Sequence, residues 1–241
     1  MLTANVTKHM SLHQLSEVHG EPGLRARLTL EAGNFPPAHR NRINQALNLA
    51  SEVHAADRRT REPYLWHVVR VAIRVVSADH LHVLDPDLVI AGLLHDTVED
   101  HPGHLASGTG HLGSDLTEAA HTRITREFGL RVAQLVRGVT NPDFDPSRDR
   151  SEQYREHVTS ALADPWVGIL KLSDYIDNAA GIWYSIIGPR TTRLASKYLP
   201  LVPVFRELVA RQDCPLDAGA SAYAARQLDL AETRLTATLS A

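Results

Sequence analysis

A single cysteine, Cys214, stands in 241 residues. It has no partner for an internal disulfide, and no cysteine cluster exists to hold zinc. No apolar run approaches the ~18–20 residues that a membrane-spanning helix requires. The polar stretch from Met1 to Gly20 lacks the continuous apolar core of a secretory signal. The expectation is therefore a cytoplasmic chain with no membrane association. A basic excess is missing too. Lys and Arg number 25 against 28 Asp and Glu, a net charge of −3, so no nucleic-acid partner is expected. Alternating period-2 runs, internal repeats and low-complexity tracts are also absent, which leaves no signal for strands or solenoids.

What is abundant is histidine, with 14 residues. That number calls for a search for metal-ligand spacing. The apolar pattern is helical. Ile43, Ala46, Leu47, Ala50, Val53 and His54 recur at helical spacing from Arg40 onward. A second helix is predicted over 65–76, carrying Val68, Val69, Ala72, Ile73 and Val76. Asp85-Pro86-Asp87 opens a third, because proline is tolerated in a first helical turn. Its body, Leu88 to Leu94, is apolar nearly all round and marks a central buried helix over 88–98. Further helices are predicted over 116–128, 130–136, 151–162, 166–186, 193–211 and 218–241. The segment His101–Asp115, rich in Gly and His, reads as a long loop. The fold class is all-α: an N-terminal extension (1–38) with one short helix, a helical domain (39–211) and a C-terminal helical extension (212–241).

The chemistry is concentrated where the apolar helix ends, in His95-Asp96-Thr97-Val98-Glu99-Asp100. Three carboxylates and an imidazole on a buried helix are costly without a cation or a hydrogen-bond network. Two other apolar helices offer partners, His67 and Asp174. A mixed nitrogen and oxygen set of His67, His95, Asp96 and Asp174 suits Mn, Fe, Co or Zn better than Ca or Mg. Singly, each residue has an ordinary role: His67 as a satisfied core histidine, Asp174 paired with Lys171, Glu99 and Asp100 as a solvated helix end. Acids at a helix C-terminus oppose the macrodipole, however, and so ask for a functional reason.

The series Arg58-Arg59-Thr60-Arg61-Glu62-Pro63-Tyr64-Leu65-Trp66-His67, then Leu93-Leu94-His95-Asp96-Thr97-Val98-Glu99-Asp100, then Lys171-Leu172-Ser173-Asp174 with Asn178, resembles the HD-domain hydrolases of the RelA/SpoT type over roughly residues 40–205. Phe128-Gly129, Gly138-Val139-Thr140 and Tyr198-Leu199-Pro200-Leu201 extend the resemblance. It implies a helical HD bundle around one Mn²⁺ held by His67, His95, Asp96 and Asp174. It implies removal of the 3′-pyrophosphate from (p)ppGpp, with Glu99 and Asp100 positioning and activating water. Arg58, Arg59, Thr60 and Asn178 would meet the nucleotide. Nothing like the family's synthetase domain follows, so a stand-alone hydrolase is expected.

Several positions depart from the family pattern. Val68 stands where Pro is usual, Arg61 where Gly is usual, and Asn141 where Lys is usual. Asn178-Ala179-Ala180-Gly181 replaces the usual Asn-Met-Arg-Thr, so the base and the 5′-phosphates are expected to be read differently. Two further readings stand beside the first. One is an HD phosphohydrolase acting on NADPH or a nucleoside mono- or triphosphate. The other is a non-catalytic nucleotide-sensing helical module, which would not require the Glu99–Asp100 pair. The loop 101–115 would act as a lid, add ligands through His101, His104 or His111, or be a plain surface insertion.

Overall fold

Helix α1 (Leu12–Ala32) starts where Ser11 accepts the Gln14 N–H and the Gln14 side chain returns the bond, a reciprocal cap that satisfies otherwise free amides. The structure, a computed structural model, describes residues 10–107 and 115–240. Rather than one short helix in an extension, α1 runs for 21 residues, kinked at Gly20. It buries Leu15, Leu24 and Leu28 against α3 (Tyr64–Val76). The weak periodicity hid it because the kink shifts the apolar stripe between its two halves.

Helix α2 (Pro37–Val53) and α3 flank α4 (Pro86–Leu94), the expected central helix. Asp85 caps α4 by accepting the Asp87 and Leu88 amides, and every residue from Leu88 to Leu94 is buried. Gly92 sets the spacing to α3: a Cβ there would lie 3.1 Å from the Cα of Ala72. The two backbones therefore approach closely, and their functional ends come together.

The predicted helix over 88–98 is divided. Helix α4 stops at Leu94, and α5 (Thr97–Asp100) begins after His95 and Asp96. Side chains take the freed carbonyls: the Thr97 hydroxyl donates to Leu94 O at 2.7 Å, and His95 Nδ1–H donates to Gly92 O at 2.9 Å. Loop 101–115 likewise holds a short helix, α6 (Pro102–Ala106). His111 lies outside the described residues.

Helices α7 (Leu116–Phe128), α8 (Leu130–Val139) and α9 (Arg150–Ala161) follow the expected pattern. Helix α10 (Pro165–Ala179) carries Asp174 and packs on α3. It ends seven residues before the predicted 186, and a 3-10 turn (Ile182–Tyr184) follows. At Gly181 the chain turns so tightly that a Cβ would sit 2.1 Å from Asp177 O and 2.6 Å from the His13 ring. The single helix expected over 193–211 is two, α11 (Pro189–Tyr198) and α12 (Val202–Ala210). Pro200 falls in the 3-10 turn between them, where proline removes a helical donor. Helix α13 (Ala218–Ser240) lies across α10, α11 and α12. Among the described residues there is no β-strand, only the isolated bridge between Arg58 and Pro63. The architecture is all-α.

Candidate metal centre

Helix α3 is apolar except for His67, Arg70 and Arg74, all fully or almost fully buried. Their spacing of three and four places them on one face, and that face meets α10. One α10 carboxylate, Asp177, receives all three: His67 Nδ1 at 2.8 Å, Arg70 Nε at 3.0 Å and Arg74 Nη2 at 2.9 Å from its oxygens. Burial opposes ionisation of Asp177, but Arg70 and His13, with His67 and Arg74, outweigh it and hold the carboxyl well below its usual range. Sequence reasoning missed Asp177. The available signal was the polar stripe His67–Arg70–Arg74 on an otherwise apolar helix, which demands a buried anion.

With Nδ1 bonded to Asp177, His67 turns Nε2 toward the end of α4. His95 does the same, because its Nδ1–H is taken by Gly92 O. A carbonyl accepts only, so this fixes the tautomer and leaves a lone pair on Nε2. His67 Nε2 lies 3.2 Å from Asp174 Oδ1 and 3.6 Å from Asp96 Oδ2. His95 Nε2 lies 3.0 Å from Asp96 Oδ2 and 3.7 Å from Asp174 Oδ1. Both Nε2 atoms are buried with no hydrogen-bond partner. Donors spaced in this way lie on a sphere of roughly 2.0–2.2 Å radius, the coordination distance of imidazole and carboxylate ligands to a transition metal. Two buried lone pairs facing two carboxylates fit a divalent cation.

The electrostatics agree. Burial alone would drive protons off both imidazoles, yet the surrounding carboxylates, Asp96 and Asp174 among them, raise both. Burial would raise Asp96 and Asp174, yet the imidazoles hold both carboxyls low. The same cluster of carboxylates that favours a proton on either imidazole would favour a cation between them, so the two would compete.

All four sequence-predicted ligands are therefore brought together. Asn178, one turn beyond Asp174, donates Nδ2 to Asp174 Oδ1 at 2.6 Å and accepts Arg59 Nη2 at 2.8 Å. The Arg59 guanidinium also lies 5.1 Å above the Tyr64 ring, and Tyr64 OH donates to Asp96 Oδ2 at 2.7 Å. Beside this set opens a cavity of about 450 Å³ lined by Arg58, Arg59, Thr60, Asn178, Arg61 and Arg190. All four predicted substrate-binding residues face it. Its far wall is His13, stacked on Tyr184 with ring centroids 4.4 Å apart. Nothing in the sequence pointed to His13, because its neighbour in the cavity, Gly181, is 168 residues away in the chain.

Glu99 and Asp100 share α5 but face different neighbours. Glu99 is exposed and gripped by Asn141, whose Nδ2 lies 2.9 Å from both carboxylate oxygens. Asp100 lines a cleft with Tyr64 and His101. Burial, then the nearby Asp96 and Glu99 charges, push it up to about 6. His101 and His104 do not join the four ligands: they bond Asp57 and Glu52 at 2.5 and 3.2 Å.

Residues 46–183 match the family model described as HD domain. The chain belongs to the HD domain family. Membership implies a divalent metal, in keeping with the His67, His95 and Asp174 grouping. This HD domain is 34% identical over 166 residues to the guanosine-3′,5′-bis(diphosphate) 3′-pyrophosphohydrolase of Aquifex aeolicus, covering 68% of this chain and 21% of that one. It is 30% identical over 149 residues to the bifunctional (p)ppGpp synthase/hydrolase SpoT of Escherichia coli, covering 60% and 18% respectively. The chain thus spans about a fifth of the length of these curated relatives. A solved structure described as a metazoan ortholog of SpoT that hydrolyses ppGpp and plays a role in starvation responses shares the fold. Its TM-score is 0.58 at 23% identity, covering 82% of this chain and 96% of the other.

Proposed function

We propose that this HD domain is a (p)ppGpp 3′-pyrophosphohydrolase, releasing pyrophosphate and leaving GDP or GTP. The observation that carries the reading is the pair of unpartnered imidazole Nε2 atoms beside an arginine-lined cavity. The names of the relatives at 34% and 30% identity supply the substrate class. His67, His95, Asp96 and Asp174 would hold the ion, Mn²⁺ in this proposal. Bound there, a divalent metal polarises a phosphoryl oxygen and lowers the pKa of water.

The chain's own residues do the rest. Arg58, Arg59 and Arg61 present forked donors to a polyanionic substrate, and a guanidinium also stacks on a base. Thr60 and Asn178 add hydrogen bonds to the nucleotide. Glu99, held by Asn141, orients or deprotonates the attacking water, with Asp100 beside it as the alternative acceptor. The location that goes with this substrate is the cytoplasm.

One observation favours a second reading, an HD phosphohydrolase of a different nucleotide. The His13 ring occupies the space where a side chain at 181 would project, so this part of the cavity wall is made by α1 instead. Purified Mn²⁺-loaded protein should be incubated with ppGpp, pppGpp, NADPH and nucleoside mono- and triphosphates, with pyrophosphate and orthophosphate measured separately. Pyrophosphate from the guanosine tetra- and pentaphosphates alone is the expected result. Orthophosphate from the others replaces it with the second reading, and neither product from any nucleotide overturns both.

A further inference from the structure

A second group of ligand-type side chains lies one aromatic ring away from the first. His54 ends α2, Asp57 sits in the loop before α3, and His101 joins α5 to α6. His54 Nδ1 and His101 Nε2 converge on the same carboxylate oxygen, Asp57 Oδ2, at 2.7 and 2.5 Å. The three donor atoms lie within 4.8 Å of one another. His54 is fully buried, while Asp57 and His101 border an open cleft of about 450 Å³ that also contains Asp100 and Arg58.

We infer that His54, Asp57 and His101 form a second, outer site for a divalent transition-metal ion. Two imidazoles and one carboxylate are the donor chemistry of the inner centre, and they suit the same class of ion. Their present spacing is that of two hydrogen bonds to one oxygen, with the imidazole protons where the ion would sit. Coordination at ~2.0–2.2 Å requires the donors to part by roughly half an ångström. That movement is open to Asp57 and His101, which are 27% and 31% exposed on a loop and a helix junction. Burial lowers the His54 pKa and so favours the neutral imidazole, whose Nδ1 becomes a ligand when the proton it shares with Asp57 is lost or moves to the unpartnered Nε2. The cleft supplies room for water or a phosphate oxygen on the remaining positions.

Local charge also favours a cation. Asp57 and Asp100 line the cleft with Tyr64, and Asp96 accepts from the Tyr64 hydroxyl. These three carboxylates face the guanidinium of Arg58 in the cleft and that of Arg59 over the Tyr64 ring. Tyr64 stacks on His54 with centroids 4.9 Å apart and meets His67 edge-on at 5.6 Å. An ion in the outer site would tie the Arg58 loop to the segment bearing Asp100, and so brace both beside the inner centre. The inference does not depend on which nucleotide is hydrolysed.

The test is a Co²⁺ titration of the chelator-stripped full chain, followed by visible absorption and by equilibrium dialysis. Wild type should take up two ions per chain, and His101→Ala and Asp57→Asn one each. Circular dichroism and thermal melting verify that the variants are folded, and Asp57→Asn retains an acceptor should His101→Ala fail to fold. One ion or fewer in wild type, or two in either folded variant, overturns the second site.

Discussion

At the scale of single residues, the site rests on which imidazole nitrogen is free. His67 and His95 are each locked through Nδ1, by Asp177 and by a backbone carbonyl, so both present Nε2 to Asp96 and Asp174. Asp174→Ala should abolish stoichiometric Mn²⁺ binding and turnover, read by metal analysis and by pyrophosphate release. The same binding should weaken on acidification, because the raised His67 and His95 compete for protons. Metal content that stays constant down to about pH 5 would contradict a histidine-held ion. Glu99→Gln should keep the metal and lose roughly 10²–10⁴-fold in kcat, since an amide accepts no proton. Much of this was legible in the sequence. His67, His95, Asp96 and Asp174 were identifiable from motif order, and Arg58, Arg59, Thr60 and Asn178 do share one cavity. Asp177 and His13 were not, because their partners are distant in the chain and only packing brings them together.

At the scale of elements, two close approaches place these residues. Gly92 lets α4 lie against Ala72 of α3. Gly92→Val should cost about 1–3 kcal/mol through forced separation of the two helices, seen as a lower urea midpoint, with weakened metal binding because His67 and His95 part. Asp177 joins α3 to α10. Asp177→Asn leaves Arg70 and Arg74 buried with reduced compensation and should cost about 3–5 kcal/mol, measured by chemical denaturation. Helix existence was readable from periodicity for α2, α3, α4 and α7 to α10. Boundaries failed where side chains or prolines, rather than apolar spacing, decide them: at His95, where Thr97 takes the terminal carbonyl, and at Pro200, between α11 and α12.

At the scale of the whole molecule, the histidines govern the response to acid. Burial presses His13 and His80 down to about 3, and His121 and His157 to about 4. In the unfolded chain each titrates near 6.5, so between these values the unfolded state binds more protons. Stability contributed by these groups is complete above about pH 6.5 and declines as pH falls toward 4. The depressed carboxyls of Asp96, Asp174 and Asp177 add a further loss below about pH 4. Protonation of the raised His67 and His95 stabilises the metal-free fold down to about pH 6.5 and is complete below it. The urea midpoint of the metal-free protein should therefore fall from about pH 6 to about pH 5, and a constant midpoint over that interval would refute the assignment.

The recognisable family segment covers residues 46–183, yet the anion that anchors its centre is shared more widely. Arg70 also donates to Ser16 of α1 at 3.2 Å, and Arg234 of α13 donates to the carbonyl of Ala180. Inheritance and cooperativity thus draw different borders on this polypeptide. A fragment cut at the limits of homology would lose His13 and Ser16 of α1, which meet Asp177 and Arg70, and Arg234 of α13, which holds the end of α10, and would keep the ligand set without the scaffold that holds it in register.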